Sequence, residues 1–476
     1  MVSTADWDAL RGEISGEISL PGSPHYEQAR KPAIARFHDI KPQALVLCET
    51  PQDVSETISF ARRFGLETVV RSGGHCFAGC SSTEGIVIDV SPMRSVEVSG
   101  GVARVGAGAR LGDVYDTLDE HGLTIPAGCG PTVGISGLTL GGGLGILGRK
   151  HGLTSDSLLA AQVVLADGGI VECDEHCEPD LFWALRGAGG CNFGVLTSLA
   201  FRTIPSRQAT AFHLIWPDAH AAEVTEAWQK WSPAAPEELA ASLLLIAPSD
   251  PDRSPVVNVF GGMVGTESDT EELLDELVAR AGVEPSSAVL KHAPYREAKR
   301  YLAEHGPGDV LPDGHPYSKS EFFRRPMPKE AIESLVANLA EGRVTGESRE
   351  LDFTPWGGAY NRVSPDDTAF AHRDEIFLLK HAVIVEPDAQ AVEREAARRW
   401  LGRSWTMVHQ WGSGGVYPNF PDPDLDDWAR AYHGANLDRL LRVKERYDPD
   451  GFFGFHQSLS GYVPESAAPE AGSSAS

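Results

Sequence analysis

Residues 126–158, PAGCGPTVGISGLTLGGGLGILGRKHGLTSDSL, hold a long glycine-rich tract, and a shorter one, RSGGHCFAGCSSTEGIVIDV, occupies residues 71–90. Each follows a stretch that reads as a β-strand, LTIPAG and ETVVRSGG. Glycine has no Cβ, so its backbone can approach a ligand closely and successive N–H groups can point the same way. Such a nest binds a pyrophosphate without lysine, which suits a chain with no Walker A sequence. Two strand-flanked tracts favour a ligand cradle over plain tight turns. Gly143, Gly145 and Gly148 also spell G-x-G-x-x-G, with Asp167 about twenty residues on. A Rossmann site needs a buried apolar strand before the first glycine. ISGLTLGG is a poor one, so the nicotinamide reading is set aside.

Outward from the tracts, ALVLCE reads as a strand, PQDVSETISFARRFG as an amphipathic helix opened by Pro51 and closed by Gly65, and ETVVRSGG as the next strand. GIVIDV, SVEVSG and VARVGAGA follow as strands. LLAAQVVLADGGIVECD reads as a hairpin turning at Asp-Gly-Gly. From about Ser206 the character changes. Helices AHAAEVTEAWQKWS and DTEELLDELVARAG alternate with strands ASLLLIAP, VVNVFGGMV and EIFLLKHAVIVEP, which predicts helices over an antiparallel sheet. LDDWARAYHGANLDRLLRVKERYDP reads as one helix, and PESAAPEAGSSAS is too rich in Pro, Ala and Ser to order itself.

The 476 residues exceed one ordinary core, so two or three domains are expected. A net charge of -26 repels phosphate backbones and anionic lipid, and neither nucleic acid nor membrane is expected as a partner. The acidic N-terminus lacks an apolar signal region, and a cytoplasmic location is the expectation. An odd count of seven cysteines argues against a disulfide framework. Cys76 and Cys80 beside His75, and Cys173 and Cys177 flanking His176, share C-x3-C spacing. Each group supplies three local ligands where zinc takes about four, so no metal is expected.

Several segments in order resemble the berberine bridge enzyme-like FAD-linked oxidases, within the vanillyl-alcohol oxidase (PCMH-type) flavoprotein group. They are R-S-G-G-H at 71–75, I-D-V-S-P-M at 88–93, P-T-V-G-x-x-G-L-T-L-G-G-G-x-G at 131–145 and N-F-G-V at 192–195. Further on come G-G-A at 357–359, T-A-F-x-H-R at 368–373, Y-P-N-F at 417–420, V-K-E-R-Y-D-P at 443–449 and F-H-Q-S at 455–458. The resemblance implies an α+β protein. Its two-part PCMH-type FAD-binding domain would be built from 1–206 and a returning C-terminal segment, 427–463. Residues 207–426 would form an α+β substrate domain, an antiparallel sheet covered by helices, and 464–476 a disordered tail.

The same resemblance implies FAD bound covalently through His75. The flavin cradle would include Arg71, Ser72, Gly73, Gly74, Cys76 and Gly79 from the first tract. The second would add Thr132, Gly134, Gly137, Gly141, Gly142 and Gly143, and beyond it lie Gly194, Val195, Tyr417 and Asn419. Some members carry a second link from a cysteine directly before P-T-V-G. Gly130 stands there and Cys129 one residue earlier, a displacement of about 3.8 Å, so a single link is expected. Val133 stands where valine accompanies oxidases and leucine accompanies dehydrogenases. The reaction implied is hydride transfer from an alcohol, sugar hemiacetal or secondary metabolite, with O2 reduced to hydrogen peroxide. The alternatives are a dehydrogenase with another acceptor and a flavin-binding protein without oxidase activity. Phe420 replaces a tyrosine that serves relatives as base. The substrate proton then falls to Tyr417, Tyr360 or His381, with Tyr417 first. The partners expected are a small-molecule substrate and O2, and a homodimer stays open.

Overall fold

A computed structural model describes residues 2–305 and 314–462; the expected disordered tail lies outside them. The helix Pro51–Phe64 shows why the local reading works. Thr50 and Asp53 form a reciprocal capping box, Pro51 opens the first turn, and Gly65 ends the helix at φ 61°. Val54, Ile58 and Ala61 fall on one face and are fully buried. The helix connects the strands Ala44–Leu47 and Thr68–Arg71, which both pair in parallel with Ile86–Asp89. Glu17–Ser19 adds an antiparallel edge.

A second sheet is wholly antiparallel, in the order Val96–Ser99, Val102–Gly106, Val195–Arg202, Leu158–Val164, Ile170–Asp174. Its last hairpin turns at Gly168, φ 85°, with Leu165 N–H donating to Gly169 O at 2.8 Å. These two sheets share one core with the helices Leu111–Glu120 and Pro179–Ala184.

The third sheet has seven antiparallel strands and begins at Gln208. Its order is Ser287–Pro294, Gln208–Pro217, Val256–Met263, Leu239–Ala247, Glu347–Pro355, Phe377–Val385, His315–Phe323. Helices Ala221–Trp231, Glu267–Ala281, Lys329–Ala340 and Ala391–His409 cover one face and share its core. Strand alternation turns the other side chains away from those helices. Leu351 and Phe353 join that core, while Asp352 and Thr354 face a cavity.

The single C-terminal helix of the sequence reading is two helices, Trp428–His433 and Leu437–Tyr447. Gly434 separates them at φ 51°, ψ -130°, a conformation that favours glycine. The bend lets Leu437, Leu440 and Val443 enter the first core. Lys444 then donates to Asn192 O, to Phe453 O at 3.1 Å and to Asp448 Oδ2 at 2.6 Å. That lysine ties V-K-E-R-Y-D-P to N-F-G-V.

Candidate functional site

A cavity of about 470 Å³ lies where both glycine tracts, the 188–194 segment, the Tyr417–Pro421 turn and the open face of the seven-stranded sheet meet. The tracts touch backbone to backbone. A Cβ on Gly73 would stand 2.3 Å from Gly134 N, and one on Gly134 would stand 2.4 Å from Ser72 Oγ. Ser72 and Ser136 both donate to Ala107 O, at 2.9 and 2.5 Å. Ser72, Gly73, Gly74, His75, Cys76, Cys129, Gly130, Thr132, Val133, Gly134, Gly137 and Gly194 all line the cavity.

Other expected contacts do structural work instead. Arg71 is buried and donates to Ser81 O, Ala29 O and Ser82 Oγ at 3.0, 2.8 and 3.2 Å, so its guanidinium braces the first tract from behind. Gly79, at φ 78°, packs on the Phe37 ring. Gly141 sits against Asn419, and Gly142 and Gly143, at φ 104° and 85°, against Phe370 and Thr154. Val195 is a fully buried strand residue. The G-x-G-x-x-G match follows the helix Ile135–Leu140 rather than a strand, and a Cβ on Gly148 would overlap the Tyr360 hydroxyl.

His75 Nε2 stands 3.1 Å from Thr132 Oγ1. Burial, with Arg110 nearby, pushes its pKa below the ordinary imidazole value. The ring is therefore neutral near pH 7 and keeps a nucleophilic lone pair.

Tyr417 and Tyr360 both line the cavity. The Tyr417 phenol oxygen accepts N–H bonds from Gly143 and Leu144 at 3.1 Å each and from Asn419 Nδ2 at 3.2 Å. Burial raises its pKa while these donors oppose the rise. Tyr360 stacks on Trp356 at 4.3 Å and exchanges hydrogen bonds with Gly145, and burial pushes its phenol up. His381 corrects the sequence reading. Strand alternation sends Lys380 to the cavity and His381 to the helix-covered face, where its Nδ1 pairs with Ser404 Oγ at 2.8 Å.

Sequence reading missed three features. Asp352 and Lys380, on neighbouring strands, form a 3.1 Å ion pair at the cavity wall. His433 reaches it with a buried Nδ1 that has no hydrogen-bond partner among the described residues. Gly189 and Gly190 line it as well. The run R-G-A-G-G before N-F-G-V carried a signal for these glycines. The ion pair had none, because a strand pairing across 28 residues leaves no local pattern.

The model of the FAD binding domain family matches residues 42–174, and that of the berberine and berberine like family matches residues 416–460. The chain is 34% identical to YgaK, an uncharacterized FAD-linked oxidoreductase of Bacillus subtilis, over 94% of this chain and 97% of that one. It is 30% identical to berberine bridge enzyme-like 18 of Arabidopsis thaliana, over 88% and 83%. The chain belongs to the berberine bridge enzyme-like FAD-linked oxidoreductases. Among solved structures of these oxidoreductases, BBE-like 1 of Physcomitrella patens aligns with a TM-score of 0.85 at 27% identity, covering 96% of this chain and 99% of that one. A chitooligosaccharide oxidase aligns at 0.83 and 26%, with the same coverage.

The FAD of a berberine bridge enzyme-like oxidoreductase suits the residues present. Cβ atoms built on Gly137, Gly189 and Gly190 meet nothing within 4 Å among the described residues, so these backbones border open space there. His433 Nδ1 offers an unused polar atom at the wall. A neutral histidine stands at the mouth of the first tract. No helix among the described residues is long and apolar enough to cross a membrane.

Proposed function

We propose that this oxidoreductase is an oxidase. It removes a hydride from the carbinol carbon of an alcohol, a sugar hemiacetal or a secondary metabolite, holds FAD covalently through His75, and returns the electrons to O2 as hydrogen peroxide. Bound flavin supplies the two-electron acceptor. His75 supplies a neutral imidazole nitrogen for the tether, and Thr132 orients the ring. Cys129 lies one residue from the place of a second tether, so one covalent link is the reading. Val133 leaves room at the cavity wall for dioxygen. The chitooligosaccharide oxidase of Gibberella zeae, 29% identical over 88% of this chain, supports the oxidase reading.

The observation that carries the reading is the Tyr417 oxygen. Three N–H donors converge on an atom that, as a neutral phenol, has two lone pairs to offer. That arrangement suits a phenolate, the form that accepts a hydroxyl proton as the neighbouring C–H is oxidised. Asp352 supports a second assignment of the base, because it is the one carboxylate among the described residues lining the cavity.

The test is a preparation that stays yellow after acid precipitation, carries flavin on the peptide containing His75 and not on that containing Cys129, and releases peroxide when alcohols and sugars are screened. A colourless protein, or one that sheds all flavin in acid, would sink the tether. Reoxidation in air taking many minutes would sink the oxidase.

A further inference from the structure

The Tyr417 phenol reaches Gly143 and Leu144 at the end of a soft stretch of chain. The helix Ala391–His409 is capped at Gln410, and Trp411-Gly412-Ser413-Gly414-Gly415 follows, with Gly414 at φ 79°. Glycines at three of four successive positions give this stretch little stiffness of its own. Two backbone bonds lay it along the outer edge of His315–Phe323, the last strand of the large sheet. Phe322 N–H donates to Gly415 O at 2.9 Å, and Ser413 N–H donates to Phe322 O at 2.7 Å. Side chains of the same strand hold both sides of Tyr417. Ahead of it, the wholly buried Glu321 accepts the Gly414 N–H at 2.7 Å on one oxygen and bonds His409 Nδ1 at 2.7 Å through the other. A Cβ on Gly412 would overlap the Glu321 side chain, so the stretch wraps the carboxyl closely. Beyond Tyr417, Lys319 pairs with Asp422 at 2.5 Å. Asp422 is itself fixed, its N–H donating to Tyr432 Oη at 2.7 Å and its carbonyl accepting from Gln457 Nε2 at 2.8 Å. The far end is thus anchored independently, and the near end depends on Glu321. Glu321 is not among the described residues lining the cavity.

We propose that Glu321 is a positioning residue for Tyr417: from outside the cavity it fastens the glycine-rich stretch to the edge strand and so keeps the phenol oxygen at the Gly143 and Leu144 N–H groups. It acts through its two hydrogen bonds and not through its charge. A glutamine there keeps both. Its carbonyl takes the Gly414 N–H, and its amide donates to His409 Nδ1 once the imidazole proton sits on Nε2. A leucine fills similar space and makes neither bond. The stretch then regains conformational freedom, and the phenol spends part of its time away from its donors. The consequence for catalysis rests on Tyr417 being the base; the hold on its position does not.

The experiment compares the flavin-loaded parent with Glu321→Leu and Glu321→Gln. Deuterium exchange is read at the amides of Gly143 and Leu144, which donate to the Tyr417 oxygen; this arm needs no substrate. Exchange there should be about tenfold faster in Glu321→Leu and like the parent in Glu321→Gln. Anaerobic flavin reduction is driven by glucose or benzyl alcohol, whichever reduces the parent faster. At saturation it should slow by about tenfold or more in Glu321→Leu, with the half-saturating concentration unchanged. Should Glu321→Leu fail to fold, His409→Ala, at a residue whose side chain is 45% exposed, removes one of the two bonds and should move the same readouts in the same direction. Unaltered exchange at Gly143 and Leu144 in the variant that folds overturns the proposal, whatever its melting temperature. So does a Glu321→Gln that behaves like Glu321→Leu, because charge would then be the agent. Faster exchange with an unaltered reduction rate supports the hold and removes Tyr417 as the base.

Discussion

His75 and Thr132 come from turns 57 residues apart, and Tyr417 meets Gly143 across 274 residues, so the chemistry at each of these atoms depends on the atoms folded onto it. Burial holds the Tyr417 phenol above its ordinary value of 10.0. Only the phenolate accepts a proton, so if Tyr417 is the base, the logarithm of the anaerobic flavin reduction rate should rise with pH between 7 and 10 with a slope of about one. A carboxylate base at Asp352 would leave the rate flat there, and stopped-flow reduction distinguishes them. Tyr417→Phe should slow reduction by about a hundredfold or more while the protein keeps its flavin. An unaltered rate removes Tyr417. The imidazole of His75 has the opposite sign. Its pKa is depressed, so its neutral form persists further into acid, and acid-stable flavin should accumulate on apoprotein with an inflection below pH 6.5.

At the scale of elements, the glycines divide into those that let chain meet chain and those that let chain meet ligand. Gly73 and Gly134 are of the first kind, since a methyl on either would wedge the tracts apart. Gly137 is of the second. It lies inside the helix Ile135–Leu140, and a Cβ there meets none of the described residues within 4 Å. Gly137→Ala should therefore stabilise the apoprotein by up to about 1 kcal/mol through helix propensity while lowering flavin occupancy. Thermal melting of apoprotein and the ratio of visible to ultraviolet absorbance read the two effects separately. A variant that melts higher and binds flavin normally would remove Gly137 from the cradle.

Across the whole molecule, single buried cations join the parts. Arg149, from the second tract, donates to the carbonyls of Trp356, Pro236, Leu239, Pro233 and Ala235 in the half built on the seven-stranded sheet. Arg149→Met strips these carbonyls of a buried donor and should cost about 3 kcal/mol or more in urea unfolding. Buried histidines set the acid limit. Burial pushes His372 down to about 4 and His381 and His433 down to about 3. All three are depressed below the unfolded value of about 6.5, so the unfolded chain binds more protons between those limits. Stability is then full above about pH 6.5 and falls as pH drops toward 4, at up to about 4 kcal/mol per pH unit for three protons. Urea midpoints that stay constant from pH 7 to 5 would contradict this.

The local pattern of the chain was enough for the helix Pro51–Phe64 with its caps, for the Asp-Gly-Gly hairpin and for three of the seven strands of the large sheet, Leu239–Ala247, Val256–Met263 and Phe377–Val385. Short-range sterics and apolar periodicity act over a few residues and sufficed for these, whereas the family was carried by the resemblance of several short motifs in order. Ordered short segments likewise placed His75, Thr132 and Tyr417 among the residues of interest. Which side chains face the cavity was decided only by the fold. One step along the strand Phe377–Val385 exchanges His381 for Lys380, Gly434 breaks a helix the pattern drew as continuous, and Arg71 turns from ligand to brace. Strand register, a glycine torsion and the burial of a charge are settled by partners distant in sequence, and periodicity contains no record of them.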